Sequence, residues 1–453
     1  CIGLLTLWCQ QYKCLCILLE VLSGKDTIVA CSSPPGRGAI SVIRLSGDKA
    51  FSIIHKITKN KLKKQISVVK FPLNADLIEK CVLTIFKAPN SYTGEDVVEI
   101  STHGNPFIVE EVIKKCLDSG AKIAKPGEFT LRAFLNNKLS LDQSEAVIEI
   151  INANSKASLK AAQNSLEGGL KVKISAIQDK LRETRVLVET LIDFADEDVN
   201  VYIEEVVSKI DEFKLFFASF NEDMMAYNSI SNDVKVVVIG PPNSGKSTLI
   251  NAIIGKKVSI VNEKRGTTRD VVTSSCLIDG IRFVFNDTAG IRKTLDKIEK
   301  EGIELSKKAL KSADIVIYLA DKENDFGKLP ITKNKKNIFV LNKIDLTNKK
   351  APVGGFAISA KTKKNLKLLK KALTHNFLKL NQEELLSVNI RHLHLIKKAY
   401  KNIALISPDL VGSNLELVAE NLRNCDELLG EIYDPISSDD MLGKIFNKFC
   451  IGK

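Results

Sequence analysis

The stretch that most constrains this chain is Val236–Ile250, VVVIGPPNSGKSTLI. The apolar run Val234–Ile239 predicts a buried strand. Gly240-Pro241-Pro242-Asn243-Ser244-Gly245-Lys246-Ser247 then fits G-x-x-x-x-G-K-[ST], and Thr248-Leu249-Ile250 opens an apolar helix. Strand, glycine-rich loop and helix in that order form the context a phosphate cradle needs. Glycines let successive backbone N–H groups turn toward phosphate oxygens, and the helix N-terminus adds positive potential. Lys246 is placed to reach the β- and γ-phosphates, and Ser247 to hold Mg²⁺. A glycine-rich strand–helix turn with no ligand is the alternative.

Further motifs follow in the order a GTPase needs. Gly266-Thr267-Thr268-Arg269-Asp270 offers Thr268, whose hydroxyl can complete a Mg²⁺ shell. The strand-like run Ile281–Phe285 leads to Asn286-Asp287-Thr288-Ala289-Gly290. Asp287 would hold Mg²⁺ through water, and the Gly290 N–H can meet a γ-phosphate. Asn337–Leu341 delivers Asn342-Lys343-Ile344-Asp345. Asp345 can accept two hydrogen bonds that guanine donates and adenine cannot, so ATP would leave a buried acceptor unpaired. Ser359-Ala360-Lys361 follows a short strand and would contact the base from the other side. Each motif alone is weak; their order makes GTP the expected ligand.

One position breaks the pattern. Ile291 follows Gly290, where Ras-like enzymes place the glutamine that orients attacking water. Hydrolysis must borrow a group: a carboxylate such as Glu299 or Glu301, a monovalent cation, or a partner.

At 453 residues the chain is long for one domain. Its 44% hydrophobic and 26% charged residues suit a globular protein with a sizeable core. A formal net charge of +12 favours a polyanionic partner. The lysine clusters Lys333–Lys336 and Lys361–Lys371 are read equally as solvated faces. Of ten cysteines, four (Cys1, Cys9, Cys14, Cys16) lie in the first sixteen residues. The others show no zinc spacing, so reduced thiols in a cytosolic-type compartment are expected. Residues 1–25 are read as an apolar extension outside the fold, with a targeting remnant as the alternative. No other stretch is long and apolar enough to span a bilayer.

Residues 26–138 alternate strand-like runs (Thr27–Ala30, Ala39–Leu45, Val82–Phe86, Val97–Thr102) with helical patterns at Lys49–Thr58 and Pro106–Ser119. They predict a small α+β domain. Residues 139–232 and 379–453 are predicted helical, flanking an inserted α/β domain at 233–378. Gly168-Gly169 is expected to break the first helical run, and helices are expected at Val201–Tyr227, Glu383–Ile406 and Leu415–Tyr433. Ser437-Ser438-Asp439-Asp440 looks like the cap of a last helix with Met441, Leu442, Ile445, Phe446 and Phe449 as its apolar stripe.

Residues 26–453 resemble the MnmE (TrmE) family of tRNA modification GTPases. The segments that carry the resemblance are Asp26–Ala30, Pro34-Pro35-Gly36-Arg37-Gly38, Ser91–Glu99, Pro126–Asn136, the GTPase motifs and the terminal Phe449-Cys450-Ile451-Gly452-Lys453. The resemblance implies a multidomain α/β and α architecture. It comprises an N-terminal α+β tetrahydrofolate-binding domain that dimerises, a helical domain, and an inserted Ras-like P-loop GTPase domain. It implies that a homodimer, with an FAD- and NADH-dependent partner of the MnmG (GidA) type, modifies C5 of wobble uridine in tRNA. The carbon would come from 5,10-methylenetetrahydrofolate or a related folate.

By motif position, Arg44, Glu99, Lys138 and Lys453 match folate-contacting residues, although ordinary surface charge is the bland reading of each. Ser244, Gly245, Lys246, Ser247, Thr248, Thr268, Asp287, Thr288, Ala289, Gly290, Asn342, Lys343, Asp345, Ser359 and Ala360 fall in the GTP and Mg²⁺ motifs. Asn243, Asn262, Thr267 and the Lys264 carbonyl match K⁺ ligands, and Glu299 the water-orienting glutamate. The family's K⁺-dependent G-domain dimerisation answers the missing glutamine. Cys450 matches a cysteine implicated in the modification; a small buried thiol at a helix end is the competing reading. The resemblance also implies a bacterial cytoplasmic protein, or a mitochondrial or plastid one, without stable membrane association. Lys264 and Arg265 put two cationic side chains beside the K⁺ positions, where many members carry neutral residues. A regulatory GTPase of ribosome or membrane biology is the second functional reading.

Overall fold

The computed structural model describes residues 26–60, 64–74, 76–193, 200–255, 273–286, 310, 312–328, 336–346, 351–378, 382–434, 439–447 and 449–452. They fall into two compact units. One holds the chain up to Ile148 together with the stretch from Tyr433 onward; the other runs from Glu149 to Ile432. Residues from Tyr433, expected at the end of the helical domain, thus cluster with the N-terminal unit.

The first unit is built on a sheet. Its elements are β1 (Ile28–Cys31), β2 (Gly38–Ser46), α1 (Ala50–Thr58), β3 (Ile66–Pro72), β4 (Ile78–Phe86), β5 (Val97–Gly104), α2 (Pro106–Asp118), β6 (Lys122–Ile123) and α3 (Glu128–Leu135). Helix α4 (Leu141–Asn152) follows. The strand order is β3-β4-β5-β2-β1-β6. Only the β1–β6 pair is parallel. The two-residue period of a strand sends Ile43, Leu45, Cys81, Leu83, Val98 and Ile100 into one core, with Ile53 and Ile54 of α1 and Val112 and Cys116 of α2. Each fully buried aliphatic side chain there contributes about 1.5–3 kcal/mol. The same period puts Arg44 and Glu99 on the other face of the sheet. Helix α2 starts cleanly because the Asn105 side chain accepts from the Phe107 N–H and proline fills its first position.

The last helix, Asp439–Phe446, belongs to this unit. Leu442, Ile445, Phe446 and Phe449 bury against Leu141, with Leu131 and Phe134 beside them. Gly127 has φ +69°, and a Cβ there would lie 2.5 Å from the Phe446 carbonyl oxygen, so the close approach needs glycine.

The second unit continues with α5 (Lys156–Leu166), α6 (Gly169–Asp193) and α7 (Asn200–Ser231), then β7 (Val234–Ile239) and α8 (Lys246–Ile254). Next come β8 (Thr273–Ile278), β9 (Ile281–Asn286), β10 (Ile315–Ala320), β11 (Lys336–Leu341), β12 (Phe356–Ala357) and α9 (Leu366–Leu378). It closes with α10 (Ile390–Ala404), α11 (Pro408–Ser413) and α12 (Leu415–Gly430). Helices α6, α7, α10 and α12 pack as a bundle, each against two of the others. The expected break at Gly168 is present, with φ +90°. The expected helix from Glu383 starts only at Ile390, where Asn389 caps it. The chain leaves the bundle at Ser231 and returns at Ser387, and the two hydroxyls lie 3.2 Å apart. Asn228 adds a 2.7 Å hydrogen bond to the Val388 carbonyl. Entry and exit of the α/β insertion are thus pinned to one point.

The inserted sheet has the order β12-β11-β10-β7-β9-β8, parallel except for the β8–β9 hairpin. Strand β10 is buried at every residue, as a central strand covered on both faces must be. The chain goes from β7 outward to both sides, so the carboxyl end of β7 is a topological switch point, where open α/β sheets bind ligands. Among the described residues no helix is long and apolar enough to cross a membrane.

Candidate functional site

The phosphate loop sits at that switch point. Gly240 and Gly245 are held by close approach: a Cβ on Gly240 would lie 2.0 Å from the Leu319 carbonyl oxygen, and one on Gly245 2.5 Å from Asn342 Nδ2. Asn243 has φ +62° and Gly245 φ +96°, so the backbone turns through the left-handed region twice within the loop. Lys246 Nζ donates to the carbonyls of Gly240 at 3.0 Å and Pro241 at 2.8 Å, which holds the ammonium over the loop. Ser244 Oγ is buried and, among the described residues, has no hydrogen-bond partner. Ser247 and Thr248 lie exposed in the first turn of α8. Backbone donors, a converging ammonium and helix polarity make this cradle fit a polyphosphate.

The guanine-reading residues gather beside it. Asn342 Nδ2 donates to the Ser244 carbonyl at 2.8 Å, and Asn342 Oδ1 accepts from the Ala360 N–H at 3.0 Å. One buried carboxamide therefore ties the loop to the Ser359-Ala360 turn. Ser359 also hydrogen-bonds Asp345, the main cause that holds the Asp345 carboxyl below its ordinary value of 3.8; Lys361 assists. Asp345 stays ionised and acceptor-only, as a guanine edge requires. Lys343, at φ +62°, pairs with Asp321 at 3.0 Å. That hydrogen bond is the first cause of the lowered Asp321 carboxyl. Asp321, just beyond β10, was not anticipated; its signal was an acid closing an apolar strand.

In the first unit, Arg44 and Glu99 face each other across β2 and β5. Arg44 Nε and Nη2 donate to Glu99 Oε1 at 2.9 and 2.7 Å. The guanidinium lies 5.4 Å from the Tyr92 ring centre and 5.7 Å from that of Phe129. Burial is the main influence on the Tyr92 phenol and raises it, against smaller lowering by Thr130 and Arg44. Lys138 is exposed, and its side-chain carbons crowd the Cβ direction of Gly94 at 3.3 Å. Behind this surface, buried Arg132 meets Glu95 at 3.1 Å and Glu128 at 2.9 Å. The Tyr92 and Phe129 ring walls and the Arg132 network were not singled out from sequence. Cationic and anionic groups beside two aromatic faces suit a flat, polar heterocycle with a carboxylate tail.

The C-terminal tail reaches the end of β1. Ser32 Oγ donates to the Gly452 carbonyl at 2.9 Å, and Gly452, at φ +97°, would place a Cβ 2.1 Å from the Cys31 carbonyl oxygen. Cys450 is exposed, so the reading of a small buried thiol at a helix end is corrected: it lies past the last helix, on the anchored tail. Asn262, Lys264, Arg265, Thr267, Thr268, Asp287, Thr288, Ala289, Gly290, Ile291, Glu299 and Lys453 lie outside the described residues.

A phosphate loop at the switch point of a mostly parallel sheet, coupled to an Asn-Lys-Ile-Asp turn, defines a P-loop guanine-nucleotide-binding protein. The model of the TrmE N-terminus, described as a GTP-binding protein, matches residues 27–138, and that of the MnmE helical domain matches residues 141–450. The chain is 40% identical over 448 residues to "tRNA modification GTPase MnmE" of Francisella tularensis subsp. holarctica (strain OSU18), covering 95% of this chain and 99% of that protein. It is 39% identical over 449 residues to the protein of that name from Francisella philomiragia subsp. philomiragia, with the same coverage. Among solved structures, the G domain of the T. maritima FeoB iron transporter aligns with 32% of this chain and 98% of its own, at 24% identity and a TM-score of 0.25. The chain belongs to the MnmE (TrmE) family, and it is a GTPase.

Proposed function

We propose that this chain is a GTP-hydrolysing tRNA modification protein that acts on C5 of the wobble uridine (U34). With an FAD- and NADH-dependent MnmG-type partner it would install an aminomethyl or carboxymethylaminomethyl group, its carbon drawn from a folate one-carbon unit. The observation that carries this reading is the near full-length match to proteins named tRNA modification GTPases in a chain with a formed guanine-nucleotide site.

The roles follow from the residues. Backbone N–H groups of the loop and Lys246 bind the phosphates; Asp345, Asn342, Lys343, Ser359 and Ala360 read and support the base. Ser247 and Thr268 would hold Mg²⁺ directly, with Asp287 acting through water. Asn243, Asn262, Thr267 and the Lys264 carbonyl would hold K⁺. When bound, that ion would supply positive charge near the developing phosphoryl charge, where other GTPases use an arginine. Asn243 is exposed on the loop, open to a second G domain, and Glu299 would orient the attacking water. Arg44, Glu99, Lys138 and Lys453 would hold the folate, and Cys450 would serve the modification chemistry. Domain limits of 26–138, 139–232 with 379–453, and 233–378 follow the family resemblance, although the stretch from Tyr433 packs with the first unit, in a homodimer that assembles with the partner as a heterotetramer. A bacterial cytoplasmic setting accords with the named relatives.

Mass analysis of wobble uridine in tRNA from cells lacking the protein tests the reading. Loss of the C5 substituent is expected. Its persistence overturns the proposal and favours the regulatory GTPase.

A further inference from the structure

The guanine-reading end of the G domain continues into an unusually charged surface. Residues 351–378 contain six lysines and no aspartate or glutamate. Lys361, Lys363, Lys364, Lys367 and Lys371 are exposed. Helix α9 buries Leu366, Leu369, Leu373 and Phe377. That leaves Lys367 and Lys371, four residues apart, along its outer side, with exposed Lys364 in the turn that leads into the helix. Asp279, from the β8–β9 turn, meets α9 at Thr374, with 3.0 Å to its hydroxyl; Thr374 is three residues beyond Lys371, so this one carboxylate borders that side. Among the described residues none of these six lysines forms an ion pair. A helix face without its own counter-charges presents its full positive field to a polyanion.

The position adds a second observation. The cationic run starts at Lys361, directly after Ser359 and Ala360, and Lys361 lowers the Asp345 carboxyl. A polyanion docked along 361–371 would lie beside the turn that reads guanine. We propose that the outer face of residues 361–371 is a phosphate-backbone contact for tRNA, adjoining the nucleotide site. This rests on the tRNA reading above. Lysine ammonium groups act there as point charges, so the contact positions RNA without reading its sequence.

The test uses the full chain and an unmodified tRNA transcript, with binding measured by fluorescence anisotropy across a salt series. A Lys364→Gln/Lys367→Gln/Lys371→Gln variant is expected to bind about tenfold more weakly near ~0.1 M salt, its log affinity–log salt slope shallower by about 2 to 3. GTP hydrolysis without RNA is expected to match the parent. A control variant, Lys397→Gln/Lys398→Gln/Lys401→Gln, removes the same charge from exposed positions of α10 and is expected to keep the parental slope. Equal losses in the two variants, no loss in the first, or no tRNA binding by the parent overturns the contact. So does a first variant impaired only toward anionic phosphatidylglycerol vesicles. If the wobble substituent is lost without the protein while the first variant binds tRNA normally, the contact falls and the modification reading stands.

Discussion

Asn342 and Ser244 lie 98 residues apart in sequence and are joined by a 2.8 Å hydrogen bond from the Asn342 carboxamide to the Ser244 carbonyl. The same carboxamide accepts from the Ala360 N–H, so one side chain sets the spacing between phosphate loop and base-reading turn. Asn342→Ala would leave two buried backbone groups without partners, at about 1–3 kcal/mol each. GTP affinity is expected to fall at least about tenfold, read by titration with a fluorescent GTP analogue. Asn342→Asp keeps the acceptor and loses the donor, and should fall between the two. Parental affinity in the alanine variant would refute the strut.

The Arg44–Glu99 pair gives a second expectation. Both side chains are partly exposed, at 18% and 25%, so breaking the pair should cost at most about 1 kcal/mol of stability. Folate binding should suffer much more, because the guanidinium is both a forked donor and a partner of the Tyr92 and Phe129 rings. Arg44→Lys keeps the charge but loses the fork and the planar stacking. Both Arg44→Ala and Arg44→Lys are expected to bind tetrahydrofolate at least about tenfold more weakly by calorimetric titration. Unaltered binding in both variants removes this pair from the folate site.

Some of this was legible in sequence and some was not, for identifiable reasons. The phosphate loop was legible because glycine spacing and a following lysine encode backbone geometry directly. Strand β3 was missed: Ile66 and Val68 are exposed while Val69 and Phe71 are buried, so apolar residues lie on both faces and no apolar–polar alternation marks the strand. The break before Ile390 was missed because Glu383–Ser387 reads as helical, whereas a single 3-10 turn at Gln382–Glu384 gives way to non-helical chain that Asn164 and Ser165 hold by hydrogen bonds at 385 and 387. Arg44 was identified by motif position, but its Tyr92 and Phe129 neighbours arise from tertiary contact alone. So does the seating of Gly452 on Cys31 and Ser32, between residues 420 apart in the Ser32 bond.

Acid should weaken the first unit through Glu79. Its Oε1 accepts from the Thr102 hydroxyl and the His103 N–H, each at 3.1 Å, and pairs with the His103 ring. Burial alone would raise this carboxyl; the His103 and Thr102 hydrogen bonds together outweigh it and hold it below 4.5. A depressed folded-state value means the carboxylate contributes stability above about 4.5 that is lost as pH falls through the folded value. Glu79→Gln should cost about 1–3 kcal/mol at neutral pH and flatten this part of the acid profile. Urea unfolding at a series of pH values reads both effects, and an unchanged acid profile in the variant would exclude Glu79 as the cause.

The thiols should divide sharply by reactivity. Burial pushes Cys81, Cys116 and Cys425 up to about 12 and Cys276 to about 11, from 9.0. Thiolate is the reactive form, so iodoacetamide near pH 8 should leave these four untouched in the native protein, while the exposed Cys450 is labelled. Peptide mass mapping separates them from the cysteines of residues 1–25. The same raised values mean that stability is complete below about pH 9 and falls as pH rises through the folded values near 11 to 12. Labelling of Cys116 at a rate equal to that of Cys450 would contradict the buried assignment.

The proposed K⁺ activation gives the sharpest test of the nucleotide site. Ile291 offers no group to orient water, so the proposed mechanism takes that role from Glu299 and draws positive charge from K⁺. Asn243, held at φ +62° on the loop and exposed, carries a carboxamide oxygen, and oxygen donors suit a hard cation. Single-turnover GTP hydrolysis is expected to be at least about tenfold faster in K⁺ than in Na⁺, and Asn243→Ala should remove most of that difference while leaving GTP binding within about twofold. Lys264 and Arg265 act in the opposite sense. Their two positive charges beside the proposed seat should raise the K⁺ concentration needed for half-activation, so Lys264→Ser/Arg265→Ser should lower it. Parental rates that are equal in K⁺ and Na⁺ would mean that these two side chains, or a partner, supply the charge instead, and that Asn243 has no part in hydrolysis.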